Sequence, residues 1–258
     1  MNVTDTQLQA LVAAFLWPMI RISALFVTLP IFSVAAVTPR IRLLLSMAIT
    51  FLVMPLLPKL PEIEVFSYTG LMVAIQQLAI GLVSGFILQI VFAAVVMGGQ
   101  GIANSMGLGF ASMIDPQDGQ QVPVVSQLYV VAATLIFLSV NAHLLLIEML
   151  VDSFKTLPIS TEGLNRADIW RMLLWSKQVF SVGLLLALPV TASLLFINIS
   201  FGVATRAAPQ LQIFSVGFPV TIFLGLMLIW LTLPQALDYF AEDLLLDAYD
   251  EIKILLKI

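Results

Sequence analysis

The chain has 258 residues, 60% of them hydrophobic and 10% charged, with a net charge of −4 and a mean hydropathy of +1.07. A soluble globule carries about 25% charged residues, so this chain lacks the ionised surface to face water and must sit in lipid or in a sheath of other protein. The acidic balance speaks against nucleic acid as a partner, zero cysteine removes disulfides and thiolate chemistry, and a single histidine, His143, gives no basis for a histidine metal site.

From the amino end, Met1–Gln9 has no basic stretch, and the apolar run behind it contains Arg21. A retained first span is therefore expected, not a cleaved signal. A hydrocarbon core about 30 Å thick takes roughly 20 apolar residues per helix. Leu8–Leu29 is interrupted only by Arg21, and Leu43–Leu57 is shorter, closed by Pro55, Pro58 and Pro61. Val65–Ile114 runs fifty residues without a charge, and Gln120–Ile147 carries only His143. Gln178–Thr205 and Ala207–Leu237 are charge-free. Counting the fifty-residue run as one span plus a loop predicts an all-α, membrane-type chain of six spans. Seven basic residues in one set of connections against three in the other (Arg40, Arg42, Arg206) place both termini in the cytoplasm.

Thirteen prolines and fourteen glycines fall largely inside or beside these runs, among them Pro18, Gly81, Gly85, Pro189, Gly202, Gly225 and Pro234. A broken helix leaves backbone groups unpaired, which hydrocarbon does not tolerate, so broken helices imply shelter by protein or a watery cavity. Gly81 and Gly85, four residues apart, allow close approach of a second helix. Gly98–Gly119 holds six glycines and reads as a loop. Met106, Leu108, Phe110, Met113 and Ile114 make that loop too apolar for water. It can be a buried connector, or a re-entrant plug that blocks water and ions by dewetting while flexible methionines deform around cargo.

Single charges have two readings each. Arg21 is an inter-subunit or pore-lining cation, or a near-end arginine that snorkels to the interface. Arg206 favours the negative end of a helix dipole and could meet a partner's carboxylate, or marks a membrane-face turn. Asp115 and Asp118 suit a turn or a helix cap around Pro116, or serve a cation pathway. His143 and Glu148, five residues apart, miss the same-face spacing of a helical metal pair, so His143 is expected as a hydrogen-bonded core residue. The tail from Asp238 to Ile258 places Ala241, Leu244, Leu245, Ala248, Ile252, Leu255 and Leu256 on one face, with Asp243, Asp247, Asp250 and Glu251 opposite. An acidic face is repelled by anionic lipid, so docking on another protein is expected. An ion-coupled transporter would place Asp, Glu or His at mid-membrane, and an enzyme would need a nucleophile beside a base. The apolar runs are almost bare of such groups, His143 apart, and show no nucleophile beside a base, so an ion-coupled transporter is the weaker alternative and an enzyme is not expected.

Several motifs, in order, resemble the FliR family of flagellar type III export-gate proteins. They are Trp17-Pro18 with Arg21, Pro39 with Arg42, Gly81 to Gly85 with Phe92-Ala93, and Met106-Gly107-Leu108-Gly109-Phe110-Ala111 with Asp115-Pro116 and Pro123. Arg206-Ala207-Ala208-Pro209-Gln210-Leu211-Gln212-Ile213-Phe214 and Gly217-Phe218-Pro219 complete the series. The resemblance implies hairpins with about six long apolar segments stacked in a hetero-oligomeric ring, one copy of the chain beside FliP and FliQ. FlhB and FlhA are further implied partners, with unfolded flagellar proteins as cargo and membrane lipid around them. It implies a FliP-like part over 1–174, including loop 98–123, and a FliQ-like hairpin over 175–258 with the amphipathic tail 238–258. Met106, Gly107, Leu108, Gly109, Phe110, Met113 and Ile114 would close the pore. Arg21, Asp115, Pro116, Arg206, Pro209 and Gln210 would serve inter-subunit or structural contacts. No cofactor, metal or catalytic residue is implied. The location would be the bacterial inner membrane, in the flagellar basal body. A virulence injectisome is the alternative setting.

Overall fold

A computed structural model describes residues 5–33, 37–58, 63–109, 123–207 and 217–258. Every regular element among them is helical: α1 Asp5–Thr28, α2 Pro30–Ser33, α3 Pro39–Val53 with a 3₁₀ turn at Met54–Leu56, and α4 Tyr68–Ser105. After these come α5 Val124–Ser139, α6 Ala142–Thr156, α7 Arg166–Trp175, α8 Gln178–Ala207, α9 Phe218–Tyr239, a π turn at Phe240–Leu244, and α10 Leu245–Leu256. Among the described residues, five helical stretches are long and apolar enough to cross a membrane, or six if the bent pair α5–α6 counts as one. That agrees with the six spans read from the sequence.

The prolines break fewer helices than expected. Pro18, Pro189 and Pro234 lie inside continuous helices. Pro30, Pro39 and Pro219 instead start helices, where the missing N–H costs nothing and the fixed φ is already helical. The sharp break falls at Asn141, in the left-handed region at φ 55°, a conformation that asparagine tolerates.

A second correction concerns the glycine-rich loop. The chain does not leave helix at Gly98, because α4 continues through Gly98, Gly99 and Gly101 to Ser105. Those glycines are packing positions. A Cβ on Gly99 would meet Ser126 Cα at 2.5 Å, and one on Gly98 would meet Leu186 Cβ at 3.0 Å. One on Gly101 would meet Ala187 Cβ at 3.1 Å. The absent side chains let α5 and α8 press against α4.

The chain forms two compact units, interleaved along the sequence. The first comprises residues 1–89, 141–176 and 246–258. Its core gathers Ala13, Trp17, Val53, Val73, Phe154 and Ile159. At Gly81 and Gly85 a Cβ would strike the Arg21 carbonyl and Thr28 Oγ1, so the expected close approach occurs, against α1. The tail's partner is this same unit. Ala248, Tyr249, Ile252, Leu255 and Leu256 are buried, Tyr249 donates to the Ala142 carbonyl at 2.8 Å, and Thr156 donates to the Leu256 carbonyl at 2.6 Å. Glu251 accepts two hydrogen bonds from Arg171, at 2.6 and 3.1 Å. The expectation that this apolar face waits for another protein is overturned, since its own chain covers it. His143 is half-buried, with Nδ1 buried and unpartnered, so the expected hydrogen bond is absent at that nitrogen.

The second unit comprises residues 90–140 and 177–245. Phe92 makes edge-to-face contacts with Phe137 and Phe240, at centroid distances of 5.9 and 5.7 Å. Gly183, spaced four residues from Ala187, lets α8 approach Met97 and the Ala94 carbonyl of α4. Between apolar helices in a lipid-like setting, such close packing and buried hydrogen bonds carry the association that water would otherwise drive.

Candidate functional site

The segment that leaves α4 is built from backbone upward. Leu108 N–H reaches the Ala103 carbonyl and Gly107 N–H reaches the Asn104 carbonyl, both at 3.0 Å. With Gly107 at φ +82°, this is a Schellman C-cap, which satisfies the last helical carbonyls and turns the chain. Only glycine enters that φ without strain. A Cβ on Gly107 would also press on the Phe218 ring at 3.3 Å.

Met106 is fully buried. Its Cγ, Cε and Sδ lie 2.6, 2.7 and 2.9 Å from where a Cβ on Gly225 would stand. A glycine in the middle of α9 thus makes the socket for a methionine at the end of α4. Leu108 and Gly109 are half-buried beyond it. Beside the turn opens a cavity of about 590 Å³, lined by Asn104, Ser105, Met106, Gly107, Asn198, Phe201, Gly202, Gly217, Phe218 and Thr221.

The chemistry of that lining is neutral. The Ser105 and Thr221 hydroxyls are spent on the Gly101 and Phe218 carbonyls, each at 2.9 Å. That leaves two carboxamides, Asn104 and Asn198, among aromatic and methionine walls. Among the described residues no lining side chain is ionisable, and no group of three or more His, Asp or Glu able to hold a metal occurs. Such a surface can meet peptide backbone and apolar side chains.

Of the predicted loop residues, Met106, Gly107, Leu108 and Gly109 belong to this turn. Phe110, Met113, Ile114, Asp115, Pro116 and Asp118 lie outside the described residues, as do Pro209 and Gln210. Arg206 is exposed in the last turn of α8, where a cation favours the helix dipole.

Arg21 occupies a different place, inside the first unit. It is wholly buried, where the snorkelling reading required it to reach an interface. Nε donates to Gln77 Oε1 at 2.8 Å, one terminal nitrogen to Ser153 Oγ at 2.9 Å, and the other to the Leu157 carbonyl at 2.8 Å. The guanidinium lies 4.0 Å from the centroid of the Phe154 ring. No carboxylate pairs with it among the described residues. One cation thus ties α1 to α4, α6 and the strand of chain after α6. Sequence reading did not single out Gln77, Ser153 or Phe154. The available signal was Gln77 itself, an amide midway along a charge-free helix.

Comparison with known proteins gives the same family from end to end. Residues 12–246 match the model of bacterial export proteins, family 1. The chain is 39% identical to the flagellar biosynthetic protein FliR of Escherichia coli (strain K12), over 99% of this chain and 100% of that protein. It is 41% identical to FliR of Pectobacterium carotovorum subsp. carotovorum, over 93% and 91%, and 32% identical to FliR of Bacillus subtilis (strain 168), over 84% of each. The chain belongs to the bacterial export proteins, family 1, in the company of the flagellar FliR proteins.

Proposed function

We propose, from that membership, that the chain is a structural subunit of the flagellar protein export gate, and that segment 106–116 plugs its pore. The coarser part needs no more than the family and the composition: this is a membrane-type component of the flagellar export apparatus. The finer part is supported by one observation above others. The turn that launches the segment is fixed at its root, by Met106 in the Gly225 socket and by the Gly107 cap. A closed plug requires a fixed root, and the segment that follows it in sequence supplies the apolar Phe110, Met113 and Ile114.

The remaining features follow the same reading. Large apolar side chains stand exposed along α8 and α9, including Phe180, Phe196, Phe223 and Trp230. Apolar surface on that scale marks contact with lipid or other subunits. FliP and FliQ would share the ring with one copy of this chain, whose residues 1–174 would act as the FliP-like part and 175–258 as the FliQ-like hairpin. FlhB and FlhA would join it in the inner membrane at the basal body, and unfolded flagellar proteins would be the cargo. Flagellar relatives favour this setting over an injectisome.

The test is to excise residues 110–114, which leaves the Met106 root in place, and to record membrane conductance and motility in cells. A leakier membrane is expected. An unchanged conductance with normal assembly removes the plug from the proposal.

A further inference from the structure

We infer that the cavity beside Met106 seats the backbone of the polypeptide in transit, with the carboxamides of Asn104 and Asn198 as its hydrogen-bonding groups. The inference rests on the plug reading for its place, because Met106 and Gly107, the root of segment 106–116, form part of the cavity wall. Asn104 Oδ1 lies 2.8 Å from where a Cβ on Gly109 would stand. One of the two amides therefore lies against the first residues of that segment.

Both amides differ from the other polar side chains of their helices. Along α8 the hydroxyls of Thr191, Ser193, Ser200 and Thr205 donate to the carbonyls of Leu188, Pro189, Phe196 and Gly202. That return to the backbone satisfies a polar group inside an apolar helix. The side chains of Asn198 and Asn104 make no hydrogen bond among the described residues. Val190, Leu194, Asn198 and Gly202 follow one another at steps of four and share one face of α8. Val190 and Leu194 are fully buried, whereas Asn198 and Gly202 line the cavity. The face that packs on protein thus changes to an amide and a bare glycine where the cavity opens. On α4, Ala103 and Met106 are buried and Asn104 is exposed.

Two unspent amides select the occupant. A carboxamide offers two donors and an acceptor oxygen, and every residue of an extended chain except proline offers one N–H and one C=O. Such pairing is indifferent to the side chain. The Met106 thioether and the Phe201 and Phe218 rings complete the wall and accept apolar groups of varied shape. No lining side chain among the described residues is ionisable, so neither acidic nor basic stretches are trapped. The volume of about 590 Å³ is that of a ligand-sized site, room for a short stretch of extended chain. Passage requires sites weak enough to release, and neutral hydrogen bonds meet that condition.

The test places a photoreactive benzoylphenylalanine in the whole gate in cells, at position 198 or 202. At Gly202 an added Cβ meets no atom of the described residues within 4 Å. The control position is Phe196, 72% exposed and on the opposite side of α8 from Asn198. Cargo is stalled in passage by fusing its C-terminus to a domain that does not unfold. Cross-links to cargo are expected at 198 and 202 and not at 196. Asn104→Leu, which keeps the volume and removes the amide, should lower the yield at 198 about fivefold, the worth of one ordinary hydrogen bond. Cargo with an acidic or a basic stretch at the stall point should cross-link equally. Cross-links from 198 and 202 to neighbouring subunits alone overturn the site, and so does equal labelling at 196. A yield that follows the sign of the cargo's charge, or that Asn104→Leu leaves unchanged, overturns the backbone contact. Conductance after excision of 110–114 reads the plug separately. A leaky excised gate with no cargo at 198 sinks the cavity alone, and cargo at 198 where the excised gate stays sealed sinks the plug alone.

Discussion

Gly225 lies directly under Met106: a Cβ on this glycine would stand 2.6 Å from Met106 Cγ. The obstructing atoms belong to a flexible thioether side chain and not to backbone, so the two positions are coupled by volume. Gly225→Ala is expected to cost less than about 1 kcal/mol, because the methionine can shift. Gly225→Leu cannot be absorbed that way and should drive Met106 out of its socket. Peroxide oxidation followed by mass spectrometry reads this directly: Met106 should be protected in the parent and in Gly225→Ala, and oxidised to sulfoxide in Gly225→Leu. Equal protection in all three would show that the socket does not hold it.

At Gly99 the obstruction is backbone. A Cβ there would lie 2.5 Å from Ser126 Cα and 3.0 Å from its nitrogen, so α5 as a whole must retreat. Gly99→Ala should destabilise the second unit by about 1–3 kcal/mol, measured as reversible unfolding in detergent. Serine at 99 should behave no better. Alanine at Gly202, where an added Cβ would meet no atom of the described residues within 4 Å, should be tolerated.

Arg21 should be the most sensitive polar residue of the first unit. Arg21→Ala strands Gln77 Oε1, Ser153 and the Leu157 carbonyl without their donor, at an expected cost of about 2–4 kcal/mol. Arg21→Lys keeps the charge but loses the planar fork that reaches three acceptors on three segments, so it should recover only part of that stability. Full recovery by lysine would mean that the charge matters and the fork does not.

The tail is held by an apolar face and by the bidentate Arg171–Glu251 pair, at 2.6 and 3.1 Å. Arg171→Ala should loosen α10 selectively, seen as faster amide exchange over 245–256 with exchange in α1 unchanged. Exchanging the two charges, Arg171→Glu with Glu251→Arg, should restore protection. Failure of the exchanged pair to do so would assign the tail's docking to Ala248, Ile252 and Leu255 alone.

Much of the architecture was legible without coordinates. Charge-free runs of helical length gave the spans, Gly81 and Gly85 marked a close helix crossing, and the periodicity of 238–258 gave an amphipathic helix. The glycines at 98, 99 and 101 misled, because glycine serves both a turn and a tight helix contact. Only the position of Ser126, Leu186 and Ala187 in space separates the two. Gly107, six residues beyond Gly101, is the one that turns the chain, and its sequence neighbourhood looks no different.

The amino-acid order alone determined that this chain is helical and apolar, because burial in a non-aqueous setting needs closed backbone hydrogen bonds and uncharged side chains. The order of motifs assigned it to a family of export proteins. Folding decided who meets whom: that Arg21 is held by an amide, a hydroxyl and a carbonyl instead of a carboxylate, that the tail lies on its own chain, and that Met106 seats on Gly225. These are contacts between residues separated by tens to more than a hundred positions. A local pattern records how each helix is made, but the choice of neighbour depends on which surfaces fit at atomic distance.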